Sequence, residues 1–155
     1  VIFPGSSKKG ILKRWKIDYY VELVNRLNEQ AEVVLALGVE EQDIKLVLES
    51  QTNCTIKVFS EWVQVDEEIN NAKLVIGNDT AYVHFAVWKG IPAIEICGPL
   101  SPVINGVWSY GLGETIYNPV RCKCSNLWNG ICDKNHECMD AISVEMVYKS
   151  VKKYL

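Results

Sequence analysis

The sequence lacks the features that mark a membrane protein, a nucleic-acid binder or a disordered chain. No apolar run approaches the roughly 18–20 residues that a membrane-spanning helix needs. The formal net charge is −3, so there is no basic excess that would favour nucleic acid. Hydrophobic residues make up 48% and charged residues 23%, a balance that argues against disordered, collagenous and coiled-coil proteins. We therefore expect a globular protein with no transmembrane segment and no nucleic-acid partner.

Two common nucleotide-binding motifs are also missing. The sequence contains no phosphate loop ending in Gly-Lys-Ser or Gly-Lys-Thr, and no GxGxxG follows a predicted strand. The usual ATPase and dehydrogenase interpretations therefore lack support.

The start of the chain has neither an initiating Met nor the charged and then apolar leader of a signal peptide. Val1 to Phe3 is instead typical of a short buried strand. A length of 155 residues is typical of one domain, since domains usually span roughly 100–200 residues. We therefore expect a single domain over residues 1–155, excised from a longer protein at a domain boundary.

Hydrophobic periodicity alternates along the chain between the strand pattern and the helix pattern. The predicted strands are Val1–Phe3, Glu32–Leu37, Thr55–Phe59, Leu74–Ile76, Pro92–Cys97 and Glu114–Tyr117. The predicted helices begin near Ile17, Ile44, Ser60 (as N-cap), Asp79 and Val144. Because strands that are apolar on both faces alternate with helices, the pattern predicts an α/β fold, doubly wound around a parallel sheet.

Three loops at the ends of predicted strands carry candidate binding residues. These candidates are Ser6, Ser7, Lys13, Glu41, Asp79, Thr80, Ala81 (through its backbone amide) and His84. Ligands of an open parallel sheet bind at these strand ends, and a helix N-terminus suits phosphate. Lys13 adds a countercharge, and Glu41 or Asp79 could accept hydrogen bonds from sugar hydroxyls. Together these residues predict a nucleoside-diphosphate site.

Each of these residues also has an ordinary structural interpretation. Asp79 and Thr80 are good N-cap residues in any protein. Basic residues just before a helix, such as Lys13 and Arg14, are most often solvated. His84 could be a hydrogen-bonded core histidine. The residue pattern alone leaves both interpretations open.

A resemblance to a known family rests on three blocks of sequence. One is Gly77-Asn78-Asp79-Thr80-Ala81-Tyr82-Val83-His84-Phe85-Ala86, with Gly90-Ile91-Pro92 and Gly98-Pro99 after it. Another is Pro4-Gly5-Ser6-Ser7, followed by Lys13-Arg14-Trp15. The third is Cys138-Met139, with Ile142 and Val147 beyond it. Nearly from end to end, these blocks resemble glycosyltransferase family 9, the heptosyltransferases of lipopolysaccharide synthesis and their relatives.

The resemblance implies the donor-binding half of a two-domain GT-B enzyme, a Rossmann-like parallel sheet with helices on both faces. It implies that Lys13 lies beside the donor diphosphate and that Ser6 and Ser7 donate to phosphate. Glu41 would bind the ribose, or Glu40 if the loop is offset by one residue. It further implies that Asp79 faces sugar hydroxyls, and that phosphate meets Thr80, the Ala81 amide and His84.

The resemblance also implies an inverting transfer with no required cofactor and no metal. The donor would be a nucleotide-diphosphate sugar, ADP-heptose being the family's commonest, and the acceptor a lipid-linked saccharide of lipopolysaccharide type. Because the family's general base lies on the other half, we expect no catalytic residue here and little or no transfer by this chain alone. The expected location is the bacterial cytoplasm, with peripheral contact at the inner membrane left open.

Two departures from the family pattern bear on the site. Ala81 stands where the family usually has Gly, so a methyl group narrows the approach to its amide. Lys16 stands where a Pro is common after the Trp, so the following helix start is less fixed. A different class of function also stays open: a noncatalytic ligand-binding or interaction module on the same scaffold, since a fold does not assign a function.

Four of the six cysteines crowd into one irregular segment, residues 119–140. Cys122, Cys124, Cys132 and Cys138 could bind zinc, form disulfides or stay as thiols. Their spacing matches no standard zinc signature, which favours thiols. Cys54 and Cys97 are expected to be small core residues. For Trp108 and Trp128 we expect buried packing, with a sugar or adenine contact as the alternative.

Overall fold

A computed structural model describes residues 1–118, 132 and 135–155. Its centre is a sheet of six parallel strands in the order β3-β2-β1-β4-β5-β6. The strands are β1 (Ile2–Phe3), β2 (Val34–Gly38), β3 (Thr55–Phe59), β4 (Val75–Asn78), β5 (Ala93–Ile96) and β6 (Gly113–Ile116). The predicted α/β class and parallel sheet are therefore confirmed.

Helices connect the strands and cover the sheet. They are α1 (Ile17–Leu27), α2 (Gln42–Gln51), α3 (Trp62–Asn70), α4 (Ala81–Trp88), α5 (Pro102–Asn105), α6 (Glu137–Asp140) and α7 (Val144–Val151). Two 3₁₀ helices, Lys8–Lys13 and Val107–Tyr110, complete the described structure. Within the residues that the structure describes, no helix has the length and apolar character needed to cross a membrane.

The apolar core forms two clusters, one on each face of the sheet. On one face, α1, α2 and α7 bury residues such as Leu23, Leu48 and Val147. On the other face, α3 and α4 bury Ile69 and Val83. This arrangement is the doubly wound fold that alternating strands and helices predict, because crossovers on either side of β1 lie on opposite faces.

Three local predictions were wrong. The edge strand β3 is not buried on both faces: only β2 pairs with it, and all five of its residues are partly or fully exposed. The N-cap of α3 is Glu61, one residue after Ser60, since Gln64 reaches back to form a capping box with Glu61. Trp108 is 52% exposed rather than buried, and its indole nitrogen donates to the Pro102 carbonyl at 2.8 Å.

The cysteine predictions divide between described and undescribed residues. Cys97 is buried as expected, whereas Cys54 is only half-buried against the edge of the core. In the cysteine-rich segment, Cys138 is buried and Cys132 accepts a hydrogen bond from the His136 amide at 3.4 Å. Cys122, Cys124 and Trp128 lie outside the described residues, so the choice among zinc, disulfides and thiols stays a prediction.

Candidate functional site

The site lies at the carboxyl end of the sheet, where β1 neighbours both β2 and β4. The chain leaves β1 toward one face of the sheet and leaves β4 toward the other, so a crevice opens between the two loops. This crevice is a cavity of about 470 Å³, a volume typical of small-molecule sites. Its lining includes seven of the eight predicted residues: Ser6, Ser7, Lys13, Glu41, Asp79, Thr80 and Ala81.

The loop after β1 is held by Arg14. Its guanidinium donates to the Ser6 carbonyl at 2.8 Å and to the Ser6 hydroxyl at 3.0 Å. The Ser6 hydroxyl in turn donates to the Gly10 carbonyl at 2.9 Å. Arg14 is therefore not solvated, since its side chain is only 16% exposed. Ser6 fixes the shape of the loop, while Ser7 stands exposed at the cavity.

Lys13 brings a positive charge to the cavity. Its Nζ lies 3.4 Å from Oδ2 of Asp79 and donates to the Asp79 carbonyl at 3.2 Å. Burial works to raise the pKa of the Asp79 carboxyl, but the His84 hydrogen bond, the Lys13 charge and Asn105 together lower it below its usual value. Asp79 is therefore ionised at neutral pH, and the pair couples the loop after β1 to the loop after β4.

The N-terminus of α4 faces the same cavity. Thr80 is the N-cap residue, but its side chain forms no capping hydrogen bond, and within the described part of the chain its buried hydroxyl oxygen has no partner. The first-turn amides of α4 are thus left uncapped by Thr80, and the exposed Ala81 stands at the cavity. Uncapped amides at a helix N-terminus suit an anion such as phosphate.

Glu41 folds back over the loop after β1. Its Oε2 accepts a hydrogen bond from the Gly38 amide at 2.8 Å, and a Cβ on Gly5 would overlap its carboxylate. Burial raises the pKa of Glu41, while the Gly38 amide and the Arg14 charge act to lower it. The neighbouring Glu40 is exposed and ion-pairs with Lys8 at 3.5 Å. Of the two candidates for binding a sugar diol, only Glu41 is held in place by the loop itself.

His84, the eighth predicted residue, lies behind Asp79 rather than in the cavity lining. Its Nε2 is 3.3 Å from Oδ1 of Asp79 and 3.6 Å from Oε1 of Glu95. Hydrogen bonding to Asp79 raises the pKa of His84, helped by the charges of Glu95 and Asp79 and opposed by burial and Lys13. Of the residues described, these three could also hold a metal ion, since one ligand atom from each lies within 4.8 Å of the others.

Sequence reasoning missed Asn78, which joins the two loops. Its fully buried side chain accepts from the Trp15 amide at 2.9 Å and from the Tyr20 hydroxyl at 3.0 Å. It also donates to the Pro4 carbonyl at 2.9 Å and to the Gly5 carbonyl at 3.0 Å. A lone amide side chain at the end of an apolar strand was the signal for it, since buried polar groups need partners.

An aromatic wall on one side of the cavity was also missed. The ring of Trp62 stacks on Tyr82 at 5.7 Å, and Tyr82 stacks on Phe3 at 4.4 Å. Trp62 and Tyr82 both line the cavity together with Phe59, and Trp62 is 48% exposed. A flat, exposed aromatic ring of this kind can stack on a ligand base.

A second cavity of about 470 Å³ lies at the opposite, amino end of the strands, lined by residues such as Val1, Leu27 and Tyr154. Ligands of open α/β sheets bind at the carboxyl ends of the strands. The crevice between β1 and β4 is therefore the candidate site.

The chain has counterparts among known proteins. The model of glycosyltransferase family 9 (heptosyltransferase) matches residues 1–139. A family 9 glycosyl transferase structure from Veillonella parvula superposes with a TM-score of 0.79 at 17% identity. The structure of the ADP-heptose LPS heptosyltransferase II of E. coli superposes with a TM-score of 0.75 at 20% identity. No curated protein matches the sequence.

Both structural matches cover 99% of this chain but 45% of the neighbour, so the chain spans about half the length of either protein. They confirm the predicted fold, a Rossmann-like parallel sheet with helices on both faces. The family model covers most of the described sequence, including all three loops of the site. The chain therefore belongs to glycosyltransferase family 9.

Proposed function

We propose that this chain binds the nucleotide-diphosphate sugar donor of an inverting glycosyltransferase. The observation that carries the proposal is the meeting, in one cavity, of Lys13, the uncapped N-terminus of α4 and two carboxylates, Glu41 and Asp79. The cation and the helix amides suit the diphosphate. The carboxylates suit hydroxyl groups at either end of it, on the ribose and on the sugar.

The aromatic wall supports a nucleobase at the Glu41 end of the cavity. Phe59 and Trp62 lie on the same lining as Glu41 and Gly38. A ribose held by Glu41 would bring its base toward Trp62, whose exposed ring offers a stacking surface. ADP-heptose is the donor we propose, because an ADP-heptose heptosyltransferase shares this fold and the family model bears the heptosyltransferase description.

The reaction we propose is displacement at the anomeric carbon of the donor sugar. An acceptor hydroxyl forms the new glycosidic bond, its proton passes to a base outside this chain, and the bond to the diphosphate oxygen breaks. The departing nucleoside diphosphate gains negative charge, and Lys13 and the α4 amides stabilise that charge without having to move. In this proposal the acceptor is a lipid-linked saccharide held by residues beyond this chain, and no cofactor or metal takes part.

Calorimetric titration with ADP, UDP and their sugar conjugates tests the donor site. Lys13→Met should weaken binding of the preferred nucleotide about tenfold, since a charge-assisted contact to phosphate is lost. Asp79→Asn should reduce the extra affinity that the sugar adds over the nucleotide alone. The matched controls are Lys89→Met and Asp66→Asn, which break a second Lys–Asp ion pair, of 2.7 Å, outside the cavity.

The controls should bind as the wild type does. If no nucleotide or nucleotide sugar binds, or if Lys13→Met and Asp79→Asn bind as tightly as the controls, the proposal fails. Binding of a protein partner without any nucleotide affinity would favour an interaction module on this fold.

A further inference from the structure

Glu95 carries a carboxyl group that is buried in the sheet. It lies on β5 between Ile94 and Ile96, and all three residues are completely buried. A carboxylate inside a protein is unfavourable unless it is paired and hydrogen-bonded. No sequence motif singled Glu95 out, and it does not line the cavity.

The two oxygens of Glu95 have different surroundings. Oε2 accepts from the Thr115 hydroxyl at 2.7 Å and from the Val107 amide at 3.1 Å. Among the described residues, no hydrogen-bond donor reaches Oε1, which instead lies 3.6 Å from Nε2 of His84. Both neutral donors therefore bind Oε2, whereas Oε1 lies next to the imidazole of His84.

His84 Nε2 therefore lies between two carboxylate oxygens, those of Asp79 at 3.3 Å and Glu95 at 3.6 Å. Nε2 must carry a hydrogen here, as it does in the neutral Nε2–H tautomer and in the imidazolium, and the negative charges of the two carboxylates favour the imidazolium. The charged groups that act on His84 come from three elements: Asp79 after β4, Glu95 on β5, and Lys13 on the 3₁₀ helix after β1. The positive charge of Lys13 disfavours the imidazolium form of His84, but the two carboxylates favour it more strongly, so the pKa of His84 is raised.

We infer that Glu95 is a positioning residue of the donor site, which keeps His84 charged beside Asp79, so that His84 adds a second positive charge behind Asp79 to the charge that Lys13 brings to the cavity. The His84 side chain is 32% exposed and is in contact with Asp79, which lines the cavity, so its charge acts on the cavity through Asp79. Glu95 itself does not line the cavity. The effect of Glu95 on ligand binding rests on the proposed function, but the protonation state of His84 can be measured in the protein without ligand.

NMR titration of the histidine rings, in the 155-residue chain with EDTA present, tests the inference without any nucleotide. The chain contains only two histidines, so His84→Gln identifies the signal. The wild-type pKa of His84 should lie above 6.5, its ordinary value. Glu95→Gln keeps the shape but removes the charge, and should lower that pKa by about one pH unit. The control Glu67→Gln, at an exposed carboxylate on α3, should leave it unchanged.

A second readout links Glu95 to the ligand. At about pH 8, Glu95→Gln should bind ADP roughly three- to tenfold more weakly than the wild type, and at about pH 6 equally well. A His84 pKa below 6.5 in the wild type, or one that Glu95→Gln leaves unchanged, overturns the inference even if ADP binds. If ADP binds to none of the proteins while the His84 pKa behaves as expected, the donor proposal fails and the assignment of Glu95 to His84 stands.

Discussion

At the scale of single residues, the site depends on a glycine that leaves room for a carboxylate. Glu41 lies against the backbone of Gly5, where a Cβ would overlap its carboxylate. The same carboxylate accepts from the Gly38 amide at 2.8 Å. Gly5 therefore allows the loop after β2 to close over the loop after β1.

We predict that Gly5→Ala displaces the Glu41 side chain and destabilises the protein by about 1–3 kcal/mol, the usual range for overpacking. Urea unfolding measures the loss. The control is Gly38→Ala, where a Cβ would lie 3.7 Å from Oε2 of Glu41, an ordinary contact distance.

A double-mutant cycle makes this prediction specific. If the Glu41 carboxylate is what the new methyl group meets, Gly5→Ala combined with Glu41→Ala should cost clearly less than the two single losses added together. Additive losses, or equal losses for Gly5→Ala and Gly38→Ala, would show that the contact with Glu41 does not matter.

At the scale of elements, Asn78 determines how the loop after β1 sits on β4. Its side chain forms hydrogen bonds with Pro4 and Gly5 in the loop after β1, with Trp15 in the segment just before α1, and with Tyr20 in α1. All of these hydrogen bonds span more than 50 residues of sequence and are buried. The distance between Lys13 and Asp79 therefore depends on Asn78, although Asn78 does not line the cavity.

Replacing Asn78 by Ala should destabilise the protein by about 3 kcal/mol or more, because it strands several buried donors and acceptors at once. Asn71→Ala is the control, since the Asn71 amide makes a single exposed bond to the Glu67 carbonyl at 2.9 Å. That variant should lose less than about 1 kcal/mol. Equal losses in the two variants, measured by urea unfolding, would refute this role of Asn78.

The elements themselves were largely predictable from the sequence, and their local exceptions have physical causes. Apolar runs closed by glycine gave β2 and β4, and amphipathic spacing gave α1 and α7. Strand order, however, follows from long-range pairing, so the sequence pattern did not reveal that β3 is an edge strand. The N-cap of α3 shifted from Ser60 to Glu61 because a side chain three residues on, Gln64, decides between them.

At the scale of the whole molecule, the site couples stability to pH. The folded-state pKa of Asp79 is lowered below 3.8, so its contribution is present above that value and is lost as pH falls through the folded pKa. Burial raises the pKa of Glu41 above 4.5, so its ionised form penalises folding, and the penalty grows as pH rises through the folded pKa. The two carboxylates therefore act on stability in opposite directions.

Two equivalent substitutions should separate these effects. As the pH rises from about 3 to about 7, we expect the free energy of unfolding of Asp79→Asn to fall by about 1 kcal/mol relative to that of the wild type. Over the same pH range, the free energy of unfolding of Glu41→Gln should rise by about as much relative to that of the wild type. Urea unfolding at several pH values measures both, and each variant is the control for the other. Curves that run parallel to the wild type, or that slope in the same direction, would contradict the assignment.

Much of the candidate site was also predictable, because the carboxyl ends of parallel strands meet at one edge of a sheet. That rule places Lys13, Glu41 and Asp79 near one another before any contact is known. The places of Glu95 and Trp62 at the site, by contrast, depend on which strands and helices become neighbours in the fold, and the sequence pattern does not show this. A charged residue inside the apolar run of β5 was a visible signal for Glu95, but its partner His84 was not.

The most direct test of the donor site is a crystal structure of the chain with ADP. We predict that diphosphate oxygens lie within about 3 Å of the Lys13 ammonium and the Ala81 amide, with the ribose hydroxyls at Glu41. Nucleotide in the cavity at the amino end of the strands, lined by Val1, Leu27 and Tyr154, would contradict it. So would a crevice between β1 and β4 that stays empty at a saturating concentration of ADP.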